Sequence, residues 1–325
     1  MAAFVFHCHA NTQTGLGHLS RCLQIALAIK TEAPESQITF VGDYHDFAKQ
    51  LLSSYHYDHL PKFVNKMLAN ANLVLDNYHL NQAEINEFRQ QAKGVIKIDD
   101  FDEFDLSALD LVVNFRLGFD NHPYKAQASA LGVSYYPFKQ ALINIRESNL
   151  AKKGYQLNNI LVFIGGSDNS SAGEKLIKLI DTAVHGKNIY WLTNDNQHSD
   201  NYLCQHNELT TLPLTPDIEA YYQQADFFIN GGGLAKYEAS FCAIPNACIS
   251  QNLGQKQDSE IFANYGLSYD LGLTEQLEKT PKLIAKKLAN ILNLAEHNQL
   301  IEQSRQTFTS QSPKRLAQAI LKAAK

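Results

Sequence analysis

NTQTGLGHLSR, residues 11–21, lies between a short apolar run and a periodic segment over residues 19–29. This order predicts a β-strand, a glycine turn and an α-helix. Gly15 and Gly17 allow the backbone to turn sharply and to approach a ligand closely. The helix that opens near His18 directs its unpaired N–H groups and the positive end of its dipole into the same space, which favours an anion there.

Two side chains at this turn indicate chemistry in addition to anion binding. Histidine titrates near neutral pH, and Arg21 follows His18 by three residues, on the same helical face. The pair indicates proton transfer beside a phosphate. Glycines also occur in plain βα turns of parallel sheets, so the spacing by itself leaves a purely structural role open.

Composition excludes several classes of protein. The chain has 325 residues, 45% of them hydrophobic and 19% charged, with a formal net charge of -5. This length favours two domains, and the negative charge argues against a nucleic-acid partner. The start, residues 1–4, lacks the features of a signal peptide, and no apolar run reaches the ~20 residues of a membrane span. We therefore expect a cytoplasmic protein without stable membrane insertion, of open oligomeric state.

The five cysteines are odd in number and scattered, without a C-x-x-C pair, so we expect reduced thiols that serve as small apolar side chains. They are Cys8, Cys22, Cys204, Cys242 and Cys248.

The first half alternates apolar runs with helical stretches, which predicts buried parallel strands. Several runs end in polar residues, and ligands of open α/β sheets bind beyond the carboxyl ends of the strands. These polar residues therefore share an edge with His18, although Asx turns or helix caps explain each of them as well. The predicted strands are residues 4–9, 38–42, 73–76, 95–99 and 111–114, and the polar ends are Asp76, Asn77, Tyr78, Asp99, Asp100 and Asn114.

The second half repeats this order. A predicted strand over residues 160–164 is followed by Gly165, Gly166 and Ser167, before a helical stretch at residues 172–183. A further strand enters three glycines at residues 231–233, and the helix after them carries Glu238. Both turns are of the kind that binds phosphate.

The domain boundary is expected near residue 150, because residues 137–155 turn polar in the way of an interdomain connection. This gives domains at residues 1–150 and 151–325. The helical segment at residues 274–325 carries apolar residues at helical spacing, which is typical of helices that cover a sheet.

The string GLGHLSRCL, residues 15–23, resembles the G-x-G-H-x-x-R-C-L signature of the UDP-2,4-diacetamido-2,4,6-trideoxy-β-L-altropyranose hydrolases of pseudaminic acid biosynthesis. These enzymes are related to GT-B glycosyltransferases of the MurG type. The resemblance implies an α/β, GT-B-like fold in which two Rossmann-type domains face each other across a cleft. It also implies a UDP-sugar as the substrate and no cofactor.

The resemblance further implies the site residues. His18 would be the general base that activates water for attack on the anomeric carbon, and Tyr78 would be a second catalytic residue in the active site. Glu238 would bind the ribose hydroxyls, and the backbone at Ile218 would face the uracil. Implied substrate-binding residues are Gly15, Gly17, Arg21, Asp76, Asn252 and Gln255, and the other implied nucleotide-binding residues are Gly165, Gly166, Ser167, Gly232 and Gly233.

The chain departs from the family pattern at three positions. His7 and His9 replace an Arg and an Asp, and Gly254 falls on an Asn, whose amide Asn252 would supply instead. His7, His9 and His18 suggest a three-histidine metal site, but no further ligand spacing supports it, and we expect no metal. Two other functions stay open: a GT-B glycosyltransferase with the same base, and a non-catalytic sugar-nucleotide-binding paralogue.

Overall fold

The computed structural model describes residues 2–64, 66–165, 172–193, 204–215, 217–295 and 297–325. It divides into two compact units, one made of Met1–Lys139 with Thr309–Lys325 and the other of residues 140–308. Each unit is built on its own parallel β-sheet, and α-helices connect several pairs of successive strands in each unit. The expected α/β class is confirmed.

The first unit holds, among its described residues, a seven-stranded parallel sheet. Its strand order is β3-β2-β1-β4-β5-β6-β7, so the chain reverses direction across the sheet between β1 and β4. Ligands bind at such a switch point in open α/β sheets. The strands are β1 (Ala3–Cys8), β2 (Gln37–Val41), β3 (Asp58–Leu60), β4 (Asn72–Asp76), β5 (Gly94–Ile98), β6 (Leu111–Asn114) and β7 (Ser129–Leu131).

The predicted strand, turn and helix at the start of the chain are confirmed. Helix α1 (Gly17–Glu32) follows β1 and buries Leu19, Leu23 and Ile29 at helical spacing. Helix α2 (Asp46–Ser54) follows β2, and α3 (Gln82–Gln91) begins at a capping box between Asn81 and Glu84. The apolar core below the sheet draws on Val5, Leu73, Leu75, Val95 and Val112. Full burial of such a side chain stabilises the fold by roughly 1.5–3 kcal/mol.

The second unit has a six-stranded sheet in its described residues, in the order β10-β9-β8-β11-β12-β13. The switch point lies between β8 and β11; Gly165 follows the first of these strands, and a glycine turn follows the second. The strands are β8 (Asn159–Phe163), β9 (Asn188–Leu192), β10 (Glu208–Leu212), β11 (Phe227–Asn230), β12 (Asn246–Ser250) and β13 (Tyr269–Leu273). The helices are α4 (Gln140–Ala151), α5 (Ala172–Ala183), α6 (Glu219–Tyr222), α7 (Leu234–Phe241), α8 (Leu253–Asn264), α9 (Gln276–Lys279), α10 (Pro281–Leu292) and α11 (Asn298–Thr307).

The observed division differs from the expected boundary near residue 150 in two places. The polar segment read as a connection forms α4, which belongs to the second unit. Its Arg146 is buried and donates to the carbonyls of Phe241 (2.5 Å) and Phe308 (3.0 Å), and to the Ser304 hydroxyl (2.9 Å). Burial lowers the pKa of Arg146. Partners so distant in sequence leave no local pattern.

The second difference is the C-terminal helix α12 (Ser312–Ala323), which returns to the first unit and packs against α1. Behind it, the Lys325 amide donates to the Asn72 side chain at 2.9 Å. The apolar spacing predicted a covering helix but did not specify which sheet it covers. No helix in the described parts of the chain is both long and apolar enough to cross a membrane.

Candidate active site

The glycine turn of the first unit lies at the switch point of its sheet. The last residue of β1, Cys8, pairs with Asp76 at the end of β4, which places the loop after β1 beside that carboxylate. The loop is closed by the Asn11 side chain, which accepts from the amides of Gln13 and Thr14 at 3.0 Å each. Gly15 adopts φ +64°, a left-handed conformation that favours glycine. Gly17 is the first residue of α1.

Asp76 is the centre of a buried ionic network at this turn. His18 Nδ1 and Asp76 Oδ1 are 2.8 Å apart, and Arg21 Nε donates to Asp76 Oδ2 at 2.6 Å. Arg21 also donates from Nη1 to Asp100 Oδ2 at 2.8 Å. Burial alone would raise the pKa of Asp76, but the charge and hydrogen bonds of Arg21 and the bond from His18 hold that pKa far below its ordinary value.

Asp76 is therefore ionised, and an ionised carboxylate only accepts hydrogen bonds. His18 must donate from Nδ1, which leaves the lone pair of the neutral ring on Nε2. This arrangement fixes both the orientation and the tautomer of the imidazole, as a carboxylate does for the histidine of hydrolytic triads. His18 is therefore oriented as a base. Asp76 and Arg21 were predicted to bind substrate, but in the structure they form hydrogen bonds with each other.

Tyr78 packs against His18, with ring centroids 4.3 Å apart and the rings at 80°. Its hydroxyl donates to Asp100. Burial, together with the carboxylates of Asp100 and Asp76, raises the pKa of Tyr78 well above its ordinary value, although Arg21 opposes this. The phenol therefore stays protonated and bound to Asp100, so that the structure brings Tyr78 to the site as a wall beside the imidazole.

A pocket of about 240 Å³ opens beside the imidazole. Both charged neighbours of His18 lie beneath it, since Asp76 is fully buried and Arg21 is 8% exposed. The pocket belongs entirely to the first unit and holds three histidines. Its lining residues are His9, Gln13, Thr14, His18, Asp76, Asn77, Tyr78 and His79.

The three-histidine metal hypothesis finds no ligand set at this site. His7 is buried, with Nδ1 at 3.0 Å from the Val41 carbonyl and Nε2 at 3.3 Å from the Asn77 side-chain nitrogen. Both of its ring nitrogens are thus hydrogen-bonded within the protein. Among the residues that the structure describes, no group of three His, Cys, Asp or Glu side chains is arranged to hold a metal ion.

The glycine turn of the second unit, residues 231–233, joins β11 to α7. A Cβ atom on Gly231 would lie 1.7 Å from the carbonyl oxygen of Ile164, so only glycine fits where the turn passes β8. The Gly232 amide donates to the Asn230 side chain at 3.0 Å, and Lys236 donates to the Gly232 carbonyl at 2.6 Å. Gly233 precedes the first residue of α7, so the helix N-terminus opens at this turn.

Glu238 lies one turn into α7 and is partly exposed. The buried Tyr222 donates to its Oε2 at 2.7 Å. Burial and the Glu238 carboxylate raise the pKa of Tyr222 well above its ordinary value, so this hydroxyl remains a donor. The carboxylate is held in one orientation at the start of the helix.

The other predicted nucleotide and sugar residues are less closely grouped. Gly165 follows β8, and Ile218 is half-buried at the start of α6. Asn252 caps α8 by accepting from the Gln255 amide at 2.9 Å, and Gln255 Oε1 accepts from the Gln251 amide at 2.9 Å. The side-chain oxygens of Asn252 and Gln255 thus fix the loop after β12. The predicted residues Gly166 and Ser167 lie outside the described residues.

Sequence reasoning missed the roles of Asp100 and Asp43. Asp100 was one of several polar strand ends, and only the structure shows that it closes the network on Arg21 and Tyr78. Asp43 lies in the loop after β2, and its amide donates to the ring of His9 at 2.9 Å. A backbone donor leaves no signal in a sequence, so this second anchored histidine was not predictable.

Two curated relatives are similar to the chain in sequence, and no family model matches it. The spore coat polysaccharide biosynthesis protein SpsG of Bacillus subtilis is 29% identical over 150 residues, which cover 44% of each protein. The pseudaminic acid cytidylyltransferase and UDP-2,4-diacetamido-2,4,6-trideoxy-β-L-altropyranose hydrolase of Helicobacter pylori is 22% identical over 87% of this chain and 50% of the relative. The chain thus spans half or less of the length of the curated relatives that it matches.

Solved structures match nearly the whole chain. MurG of Acinetobacter baumannii superposes with a TM-score of 0.69 at 14% identity, over 99% of this chain and 100% of that one. UGT89C1 of Arabidopsis thaliana, solved in complex with UDP, gives a TM-score of 0.62 at 8% identity, over 99% and 100% of the two chains. These likenesses show a GT-B-type fold. The sequence matches relate the chain to proteins of nucleotide-sugar and polysaccharide biosynthesis.

Proposed function

We propose that this chain hydrolyses a UDP-linked sugar, with His18 as the general base. His18 Nε2 takes a proton from a water molecule, whose oxygen forms a bond to the anomeric carbon. The bond from that carbon to the diphosphate oxygen breaks, and UDP leaves with the electron pair. A positioned base of this kind contributes about 10²–10⁴ to the rate.

One observation carries this proposal: the hydrogen bond between His18 Nδ1 and the buried Asp76 carboxylate. It requires Nδ1 to hold the proton and therefore makes Nε2 the basic nitrogen. The cost of burying Asp76 is offset by Arg21, which a purely structural βα turn does not need. Tyr78 packs edge-to-face against the ring.

The second unit would bind the nucleotide. The N-terminus of α7, at Gly232 and Gly233, offers N–H groups to a diphosphate, and Glu238 offers a carboxylate to the ribose hydroxyls. Gly165, Gly166 and Ser167 would form the second phosphate turn. The likeness to a glycosyltransferase solved with UDP supports a uridine nucleotide.

The sugar that we propose is a diacetamido-trideoxy hexose on the route to a nonulosonic (pseudaminic) acid. Two observations support this choice: the resemblance of residues 15–23 to the hydrolase signature, and a relative from Helicobacter pylori named for that reaction.

A GT-B glycosyltransferase is the second candidate, because MurG of Acinetobacter baumannii matches the whole length of the chain. The same His18 would then deprotonate an acceptor hydroxyl. In this case the transferred sugar leaves on the acceptor, and water is not consumed.

Purified protein is incubated with a panel of UDP-sugars, with and without added acceptors, and both UDP release and the fate of the sugar are measured. Release without an acceptor supports hydrolysis, and release only with one supports transfer. His18→Asn should lose about 10²–10⁴ in rate while its affinity for UDP is retained. The control His185→Asn changes an exposed histidine of the second unit and should leave the rate unchanged. If His18→Asn retains most of the turnover, His18 is not the base.

A further inference from the structure

His9 is held in the pocket by backbone that joins two loops. The Ala10 amide donates to the Asp43 carbonyl at 2.9 Å, and the His45 amide donates to the Ala10 carbonyl at 2.9 Å. The Asn11 side chain adds a bond to the Asp43 carboxylate at 2.8 Å. The loop after β1, which carries His9, is therefore fixed to the loop after β2.

The ring of His9 is anchored as well. Its Nδ1 accepts a hydrogen bond from the Asp43 amide at 2.9 Å, and an N–H donor requires a lone pair on that nitrogen. The proton of the neutral ring therefore lies on Nε2. Among the described residues, this Nε2 has no protein partner, and His9 lines the pocket beside His18.

The two anchored histidines thus have opposite polarity. His18 has a carboxylate on Nδ1 and offers a lone pair from Nε2. His9 has an amide donor on Nδ1 and offers a proton from Nε2. Burial, together with His79 and His18, lowers the pKa of His9 against the opposing effect of Asp43, which favours the neutral ring at neutral pH.

We propose that His9 is a substrate-binding residue whose Nε2–H donates to an acceptor oxygen on the sugar, such as an acetamido carbonyl. This inference rests on the proposed function, since it concerns the sugar on which His18 acts. His7, which lies in β1 two residues before His9, is excluded from this role because both of its ring nitrogens are bonded within the protein.

The test compares affinities for UDP-N-acetylglucosamine and for UDP by calorimetry, because the change in their ratio between wild type and variant reports on the sugar contact of residue 9. His9→Phe keeps a flat ring without nitrogens, and the Asp43 amide that it leaves can bond to water in this exposed loop. We expect it to weaken binding of UDP-N-acetylglucosamine about three- to tenfold and to leave UDP affinity unchanged. His9→Gln returns an N–H donor near the Nε2 position and should restore most of the loss. His185→Phe, a change at an exposed histidine of the second unit, is the control.

The inference is overturned if His9→Phe binds both ligands like the wild type, or if His9→Gln binds UDP-N-acetylglucosamine as weakly as His9→Phe does. The UDP-release assay separates this result from the proposed function. A His9-dependent affinity ratio in a protein that releases no UDP from any UDP-sugar would refute the base and support the sugar contact. Turnover that depends on His18, together with an affinity ratio that does not depend on His9, would support the base and refute the sugar contact.

Discussion

Replacement of Asp76 by Asn should separate the orientation of His18 from its presence. Asp76 Oδ1 accepts from His18 and from Arg21 Nη2, and Oδ2 accepts from Arg21 Nε. Arginine has no hydrogen-bond acceptor, so the side-chain nitrogen of the introduced asparagine faces an N–H of Arg21 whether it takes the Oδ1 or the Oδ2 position. At the Oδ1 position it also meets His18 Nδ1, which must then become the acceptor. In that orientation of the amide the proton moves to Nε2, and the base is lost.

The structure sets the expected magnitudes. Asp76 is fully buried and Arg21 is 8% exposed, and removal of one partner of a buried ion pair costs about 3–5 kcal/mol. Asp100 still binds Arg21 Nη1, so we expect the lower end, a loss of about 3 kcal/mol in the free energy of unfolding. The rate of UDP release should fall by about 10²–10⁴, since general-base catalysis requires the lone pair on Nε2.

Asp100→Asn is the matched control. Asp100 accepts from Arg21 and from the Tyr78 hydroxyl, and in the described part of the chain it makes no hydrogen bond to His18, so the same network is weakened without a change of tautomer. Urea unfolding measures the stability of both variants, and UDP release is then compared under conditions where each is folded. A much larger rate loss in Asp76→Asn is expected. Equal rate losses in the two folded variants would refute the argument from orientation.

Three further predictions follow from the second unit and from the first-unit pocket. Glu238→Ala should weaken UDP binding by about 1.5–3 kcal/mol, as expected for a lost charge-assisted bond, and an unchanged calorimetric affinity in a folded variant would exclude the ribose contact. Burial lowers the pKa of His297 to about 4, whereas the ring of the unfolded chain titrates near 6.5, so the unfolded chain binds more protons between these two pH values. The free energy of unfolding should therefore fall by about 3 kcal/mol as the pH drops from 6.5 to 4. His297→Phe should remove this dependence when unfolding is measured as a function of pH. UDP release should persist in EDTA, because both ring nitrogens of His7 are hydrogen-bonded within the protein and helix N-termini supply donors for phosphate. A loss of UDP release in EDTA that one divalent ion restores would contradict this.

Local pattern predicted most of the fold. The apolar runs predicted five of the seven strands of the first sheet, because a strand buried on both faces consists of consecutive apolar residues, but the short edge strands β3 and β7 were missed. The glycine turns marked the helix starts at Gly17 and Leu234. The observed division after residue 139 and the position of the last helix were not predictable, because Arg146 and Asn72 bind groups far away in sequence.

The sequence by itself determined which chemical groups the first glycine turn carries: a histidine, an arginine three residues later and strand-ending carboxylates. Only the tertiary structure decided what these groups do to one another. The register between β1 and β4 brings Asp76 under His18, and the link between the first two βα loops brings the Asp43 amide to His9. A histidine becomes an acceptor or a donor according to the partner on its other nitrogen, and that partner is fixed by the packing of the chain.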